Sequence, residues 1–249
     1  MVCLQEKSVH LAVEGVKPRL NAPRLRAPRM HVRVLESSPV HLDEDAAEYD
    51  AMVRRHARLL NRPFVDMLAR IGLERGRVLD VGTGPGWIPI ELALRRPGLE
   101  IWALDASPDM LAQAGRHAAA AGVSDRVHFV PGSATELPFA DGEFDLSVSH
   151  FMLHHIERPA AFFDEMARVT RGGGRIVIKD LVRQPAWKAR MLLAFSRLAL
   201  GYSGPQMRMY RESLASAMTA GEIRRALAGS QLSMAGVRGF RGLDVVITA

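Results

Sequence analysis

The sequence predicts an α/β fold, with a mainly parallel sheet and helices on both of its faces. Three observations predict it. A strand, Val78 to Val81, runs straight into a glycine-rich turn (Gly82, Gly84, Gly86), and an apolar helix follows at once. A second strand, Ile101 to Leu104, ends on an acid, Asp105, nineteen residues after Gly86. Strand-like and helix-like segments then alternate through the middle of the chain, the pattern that builds parallel sheets.

Each element has a local reason. Residues 43–72 carry an apolar stripe (Ala47, Met52, Leu59, Leu60, Val65, Leu68, Ile71) at three- and four-residue spacing, which predicts helix. Pro63 divides it in two. After the first strand a helix runs from Trp87 to Arg96 and stops at Pro97-Gly98. Ser107-Pro108-Asp109 is a helix opening, with Ser107 as N-cap and proline in the first turn; that helix ends near Gly122. Val127 to Val130 is strand three, and Phe144 to Ser149 is strand four. Pro159 to Thr170 is helical, and Gly172-Gly173-Gly174 breaks the chain before strand five, Arg175 to Lys179. Residues 181–217, rich in Met, Leu and aromatics, are longer than an ordinary connection and form an insert. Thr219 and Glu222 make a capping box for a helix to Leu227. Met234 to Phe240 and Leu243 to Thr248 close the chain as a hairpin around Arg241-Gly242.

Composition bounds the function. A chain of 249 residues, 48% hydrophobic and 24% charged, suits one globular domain with a substantial core. There is no run of 18 apolar residues, which argues against a membrane-spanning helix. Cys3 stands alone, so an internal disulfide and a cysteine zinc cage are excluded, and a cytoplasmic setting fits. Of the formal charge of +6, residues 1–40 carry +4 (seven Lys/Arg against three Glu). The remainder is too nearly neutral for a broad nucleic-acid-binding face. With Pro18, Pro23 and Pro28 and no period, residues 1–40 read as a disordered basic leader, and residues 41–249 as the folded domain. The leader lacks the apolar run of a secretory signal. It could bind an acidic partner or act as a targeting peptide; translation starting at Met30, which would make the leader spurious, is the alternative reading.

The glycine turn and the acid carry the chemistry. Glycines at alternate positions permit positive φ and leave no Cβ in the way of a ligand. The helix that follows points its unbonded N–H groups at that ligand. A carboxylate at the end of the second strand takes two hydroxyl hydrogen bonds from a ribose. Together these describe half of a nucleoside site.

Five blocks in order extend the pattern: Leu79-Asp80-Val81-Gly82-Thr83-Gly84-Pro85-Gly86; Leu104-Asp105-Ala106-Ser107-Pro108-Asp109-Met110-Leu111; Gly132-Ser133-Ala134-Thr135-Glu136-Leu137-Pro138-Phe139; Phe144-Asp145-Leu146-Ser147-Val148-Ser149; and Val169-Thr170-Arg171-Gly172-Gly173-Gly174-Arg175. From about residue 43 onward the chain resembles the class I S-adenosylmethionine-dependent methyltransferases. The resemblance implies a Rossmann-like, seven-stranded, mostly parallel sheet with a C-terminal antiparallel hairpin and a helical lid insert. It implies S-adenosyl-L-methionine as cofactor and a small-molecule methyl acceptor. It places Gly82, Thr83, Gly84 and Gly86 along the methionine part, with Asp80 orienting the amino group. Asp105 holds the ribose hydroxyls, Ala106 and Met110 lie against the adenine, and Ser133 and Ala134 face its ring and amine. Ser149 and His150 border the methyl, His150 being the one candidate base. Tyr49 would close over the site.

His154 and His155 tempt a metal reading, but adjacent histidines point in different directions, and they read as fold residues. No metal site is expected. Trp87 reads as packing at the helix start. In the insert, Trp187, Met191, Leu192, Phe195, Leu198, Met207, Met209 and Tyr210 offer either an apolar acceptor wall or the packing of a lid. Arg183, Lys188, Arg190, Arg197 and Arg208 read as a solvated face, with contact to an anionic acceptor group as the alternative. The Asp/Asn-Pro-Pro-Tyr signature of amino-methylating enzymes is absent, since Ser149-His150-Phe151-Met152 stands there. A cytosine-C5 enzyme needs a core cysteine, and arsenic methylation needs several thiols. Two rivals remain: a nicotinamide-dependent oxidoreductase, whose G-x-G-x-x-G spacing this turn does not keep, and a methyltransferase for RNA or protein that docks through the basic leader.

Overall fold

The computed structural model describes residues 33–35, 47–54, 61–240 and 243–249. Most of the basic leader, Met30 included, lies outside the described residues, as do Leu59, Leu60 and the Arg241-Gly242 turn.

Seven strands form one sheet: β1 (Arg75–Val81), β2 (Gly98–Asp105), β3 (Val127–Pro131), β4 (Phe144–His150), β5 (Thr170–Leu181), β6 (Gly236–Phe240) and β7 (Asp244–Thr248). Their order is β3-β2-β1-β4-β5-β7-β6. β1 to β5 pair in parallel, and β7 runs antiparallel between β5 and β6. Between them run α2 (Arg62–Ala69), α3 (Trp87–Arg95), α4 (Pro108–Ala121), α5 (Pro159–Val169), α6 (Ala186–Leu198), α7 (Gly204–Ser216) and α8 (Ala220–Ala228). Residues 47–54 form a further helix, α1. The predicted fold class is the one observed.

Strand alternation splits the core into two layers. Ile176, Ile178, Val245 and Ile247 face Phe162, Phe163 and Ile223 of α5 and α8. Val177, Val246, Val78 and Ile101 face Phe64, Ile90 and Ala118 of α2, α3 and α4. The order of the strands reverses direction between β1 and β4. In open α/β sheets the crevice outside the strand ends at such a switch point receives the ligand.

The local signals behave as their chemistry requires. Ser107 Oγ accepts the Met110 amide at 3.3 Å, and Gly122 ends α4 in the left-handed region at φ 69°. Thr219 and Glu222 cap α8 reciprocally. One expectation needs correction. Gly172–Gly174 does not break the chain before β5, because the strand begins at Thr170. Phe144 pairs with Thr170 and Leu146 with Arg175, so the glycines loop out as a bulge in a continuous strand. The insert is two helices, α6 and α7. Arg33, expected in the leader, is part of the folded unit that runs from Arg33 to Ala249. Its guanidinium donates to the carbonyls of Ser216 (2.8 Å), His154 (2.9 Å) and Ile156 (2.8 Å).

Candidate active site

The carboxyl ends of β1, β2 and β4 open into a cavity of about 940 Å³. That size lies at the upper end of small-molecule sites and exceeds what one nucleoside needs.

The turn after β1 makes the floor. Gly82 and Gly84 have φ of 76° and 53°. A Cβ on Gly84 would meet only the Tyr49 ring, 3.7 Å away, so bare main chain faces the cavity beneath Tyr49. The expectation that Tyr49 covers the site agrees with this placement. Asp50 Oδ1 accepts the Trp87 indole N–H at 2.8 Å, and Trp87 stacks on His117 with centroids 4.5 Å apart. The imidazole Nδ1 of His117 donates to the Pro85 carbonyl at 2.9 Å. Trp87 thus packs, as expected, and this packing fastens α1 to the turn. Glu48 ties α1 to the other side of the cavity, accepting from Ser203 Oγ (3.0 Å) and Gln206 Nε2 (2.9 Å) at the start of α7.

Asp105 sits where the second strand puts it. Its carboxylate accepts the Gly84 amide at 2.7 Å and the Ser107 amide at 2.9 Å. These bonds fix its plane and leave further lone pairs for a ligand. Burial pushes its pKa up, against those same backbone bonds. Asp80 is more deeply buried, and its Oδ2 has no hydrogen-bond partner among the described residues. Burial pushes the Asp80 carboxyl up to about 7, with Thr83 opposing and the nearby Asp105 charge adding to the shift. An orphaned carboxylate oxygen over a bare turn fits the ammonium end of an amino-acid ligand, and a carboxylate clamped at the next strand end fits a diol. Ala106, Met110, Ser133 and Ala134 line the adjoining wall, beside Asp80, Gly82, Thr83, Gly84 and Asp105.

Two expected site residues lie elsewhere. Gly86 does not line the cavity. At φ 81° it begins α3, and a Cβ there would lie 2.8 Å from the Ala114 Cβ of α4. Its glycine serves the packing of α3 on α4. Ser149 is fully buried and donates from Oγ to the Val81 carbonyl at 2.8 Å. Neighbouring strand residues point to opposite faces, and His150 takes the cavity side.

His150 lines the cavity, stacked on Phe64 with centroids 4.6 Å apart. Its Nε2 lies 3.2 Å from Lys179 Nζ. Burial holds its pKa well below the usual imidazole range, and the Lys179 charge adds to that. The neutral ring therefore accepts from the ammonium, which engages the lone pair a base would use. Lys179 Nζ also lies 3.2 Å from Asp244 Oδ2 and 4.4 Å over the Phe151 ring. The sequence reading missed Lys179 and Asp244. The signal for Lys179 was a lysine ending the apolar run Ile176–Ile178.

His154 is buried, and its Nδ1 sits 2.7 Å from Asp180 Oδ1, joining the 3-10 turn Leu153–His155 to the end of β5. Among the described residues no group of three or more His, Cys, Asp or Glu is placed to hold a metal ion. On the lid, Leu192, Phe195, Met209 and Tyr210 line the cavity. Burial pushes the Tyr210 phenol up to about 12, so it stays protonated at neutral pH. Trp187, Met191 and Leu198, expected in the wall or the packing, are exposed. Arg183 is not on a solvated face but pairs, largely buried, with Glu222.

Residues 79–178 match the family model described as a methyltransferase domain. Over these residues, about two fifths of its length, the chain is similar to that domain. A ubiquinone/menaquinone biosynthesis C-methyltransferase from Roseobacter denitrificans is 34% identical over 146 residues, covering 56% of this chain and 57% of that protein. A release factor glutamine methyltransferase from Chlorobaculum tepidum is 45% identical over 103 residues, 39% of this chain and 35% of that protein. The chain thus spans between about a third and three-fifths of the length of these curated relatives. A crystal structure of a SAM-dependent methyltransferase from Aquifex aeolicus superposes with a TM-score of 0.61 at 18% identity, covering 82% of this chain and 97% of that one. At that identity the likeness concerns the fold. The matched residues include the glycine turn, Asp80, Asp105 and His150, and the match ends at Ile178, one residue before Lys179.

Proposed function

We propose that this protein transfers a methyl group from S-adenosyl-L-methionine to a small molecule with an apolar body. The observation that carries the proposal is the pairing of the orphaned Asp80 oxygen with the clamped Asp105 carboxylate across bare glycine turn. Asp80 takes the amino group, Gly82 to Gly84 the methionine chain, Asp105 the ribose, and Ala106, Met110, Ser133 and Ala134 the adenine. When bound, the sulfonium supplies an activated methyl on a neutral leaving group. The chain's own work is then to align the acceptor and to exclude water.

Leu192, Phe195, Met209 and Tyr210 supply the apolar wall for the acceptor. Lys179, held by His150 and Asp244, is the cation that faces its polar atom. His150 positions Lys179 and is not asked to remove a proton. The relative named for C-methylation in ubiquinone and menaquinone biosynthesis is in keeping with an apolar acceptor. The relative named for glutamine methylation is weighed against Ser149-His150-Phe151-Met152, which stands where amino-methylating enzymes carry their Pro-Pro-Tyr signature. A nicotinamide dinucleotide is disfavoured by Trp87, whose indole fills the place where a G-x-G-x-x-G helix packs closely.

Incubating the protein with methyl-labelled S-adenosylmethionine and a metabolite extract is expected to label a low-molecular-weight, organic-extractable product. Label confined to RNA or protein would replace the acceptor class. Calorimetric binding of a nicotinamide dinucleotide without sulfonium binding would replace the reaction.

The ionisation of Asp80 makes a separate prediction. With burial pushing the Asp80 carboxyl up to about 7, it gains and loses its proton near neutral pH. An ammonium group binds the ionised form. Affinity for S-adenosylhomocysteine is therefore expected to rise as pH increases to about 7 and to level off above it, with proton release on binding at pH 6. Asp80→Asn is expected to lower the affinity and to remove this dependence. The stability sign is opposite. A raised carboxyl pKa stabilises the fold fully below the unfolded value of about 4, and that contribution is lost as pH rises towards 7.

A further inference from the structure

The lid helix α6 is turned inside out. Trp187, Met191, Phe195 and Leu198 are 63%, 62%, 55% and 85% exposed, while the one fully buried residue of the helix is Ser196. Spacings of four, four and three place the four on a single face. A helix that packs on a globular body shows the reverse arrangement. Among the described residues the other exposed large apolar side chains are Leu94 and Met234, which stand singly, and the neighbouring pair Val34 and Leu35, and none of them forms a stripe along a helix. A contiguous stripe of this kind marks an interaction site.

Two features say what meets it. The helix exposes Arg190 and Arg197 and has no carboxylate. Two copies meeting stripe to stripe would oppose like charges across the contact, whereas an anionic lipid surface neutralises them. Phe195 belongs to the stripe and also lines the cavity, so the apolar face adjoins the cavity mouth. We propose that α6 docks this protein on an anionic bilayer, with Trp187, Met191, Phe195 and Leu198 in the acyl boundary and the lid opening towards the lipid. Thirteen residues make a helix of roughly 20 Å, which lies in the interface and is too short to cross it. Among the described residues no helix is long and apolar enough to span a membrane. This docking rests on the exposed face and the cations of α6 and not on the identity of the acceptor.

Co-sedimentation of the full chain with phosphatidylglycerol-rich vesicles, against pure phosphatidylcholine vesicles, tests it. Binding is expected to the anionic vesicles and to be roughly tenfold weaker to the neutral ones. Trp187→Ala with Leu198→Ala is expected to reduce partitioning roughly tenfold or more, since two large side chains no longer leave water. Met191→Glu is expected to abolish it. All three positions lie outside the cavity lining, so S-adenosylhomocysteine affinity reports that the variants are folded. Unchanged vesicle binding in the double variant would place the docking on other cations, such as those of residues 1–32, and overturn the proposal. So would absence of binding to either vesicle. If the double variant instead dissociated a dimer in sedimentation equilibrium without affecting vesicle binding, the stripe would be a contact between copies.

Discussion

Asp105→Ala is expected to weaken S-adenosylhomocysteine binding by about 2–4 kcal/mol, a loss of roughly 30- to 1,000-fold. Two charge-assisted bonds to the ribose go with the carboxylate. The Gly84 and Ser107 amides lose their acceptor in the same step. The turn after β1 then has no tie to the end of β2 at that point, and the floor of the site loosens. The cost to folding is much smaller, because the opposing terms compensate. Orphaned amides destabilise, while a buried carboxylate that burial pushes up in pKa is removed. Calorimetric titration with circular dichroism as a check on folding measures both. Affinity close to wild type would mean that the ribose sits elsewhere. The same substitution also shifts the pH profile. The Asp105 charge helps raise the Asp80 carboxyl, so in Asp105→Ala the pH at which affinity levels off moves below that of the wild type.

What the sequence made legible was what short-range chemistry determines. Ser107 before Pro108, Gly122 at the end of α4, and the Thr219–Glu222 pair each act within four residues, and each appears in the structure as read. Asp105 was legible for a related reason: a strand's end has a fixed place in a parallel sheet, and an acid there meets whatever the neighbouring turn holds. The failures share the opposite property. Gly86 looked like its neighbours in the turn, but its purpose is set by Ala114, 28 positions away. Ser149 and His150 could be told apart only once the facing of β4 was known. Lys179 gains its meaning from Asp244 and His150, which three strands bring together. The stripe on α6 was visible as a helical period, but periodicity does not say which face a helix turns inward. Only the placement of Ser196 against the body does.

Gly86→Ala is expected to destabilise the fold by about 2–5 kcal/mol, from two sources that a second substitution separates. The left-handed backbone at φ 81° costs an alanine about 1–2 kcal/mol whatever surrounds it. The new methyl would also sit 2.8 Å from the Ala114 Cβ and 3.2 Å from its Cα, an overpacking worth about 1–3 kcal/mol. Ala114→Gly alone is expected to cost about 1 kcal/mol, as a glycine inside α4. In the pair, the 2.8 Å contact with the Ala114 Cβ disappears, while the backbone part and the 3.2 Å approach to the Ala114 Cα stay. The double variant is therefore expected to be more stable than the sum of the single losses by about 1–2 kcal/mol, a coupling that denaturant titration resolves. Strict additivity would mean that Gly86 is required for its dihedral angles alone and that α4 does not bear on it. A further consequence distinguishes packing from ligand contact. Gly86 holds the start of α3 against α4 but does not face the cavity, so cofactor affinity in the single and double variants should change no more than their stability does. Gly84→Ala, whose methyl enters open space beneath Tyr49, should lose affinity by more than its loss of stability explains.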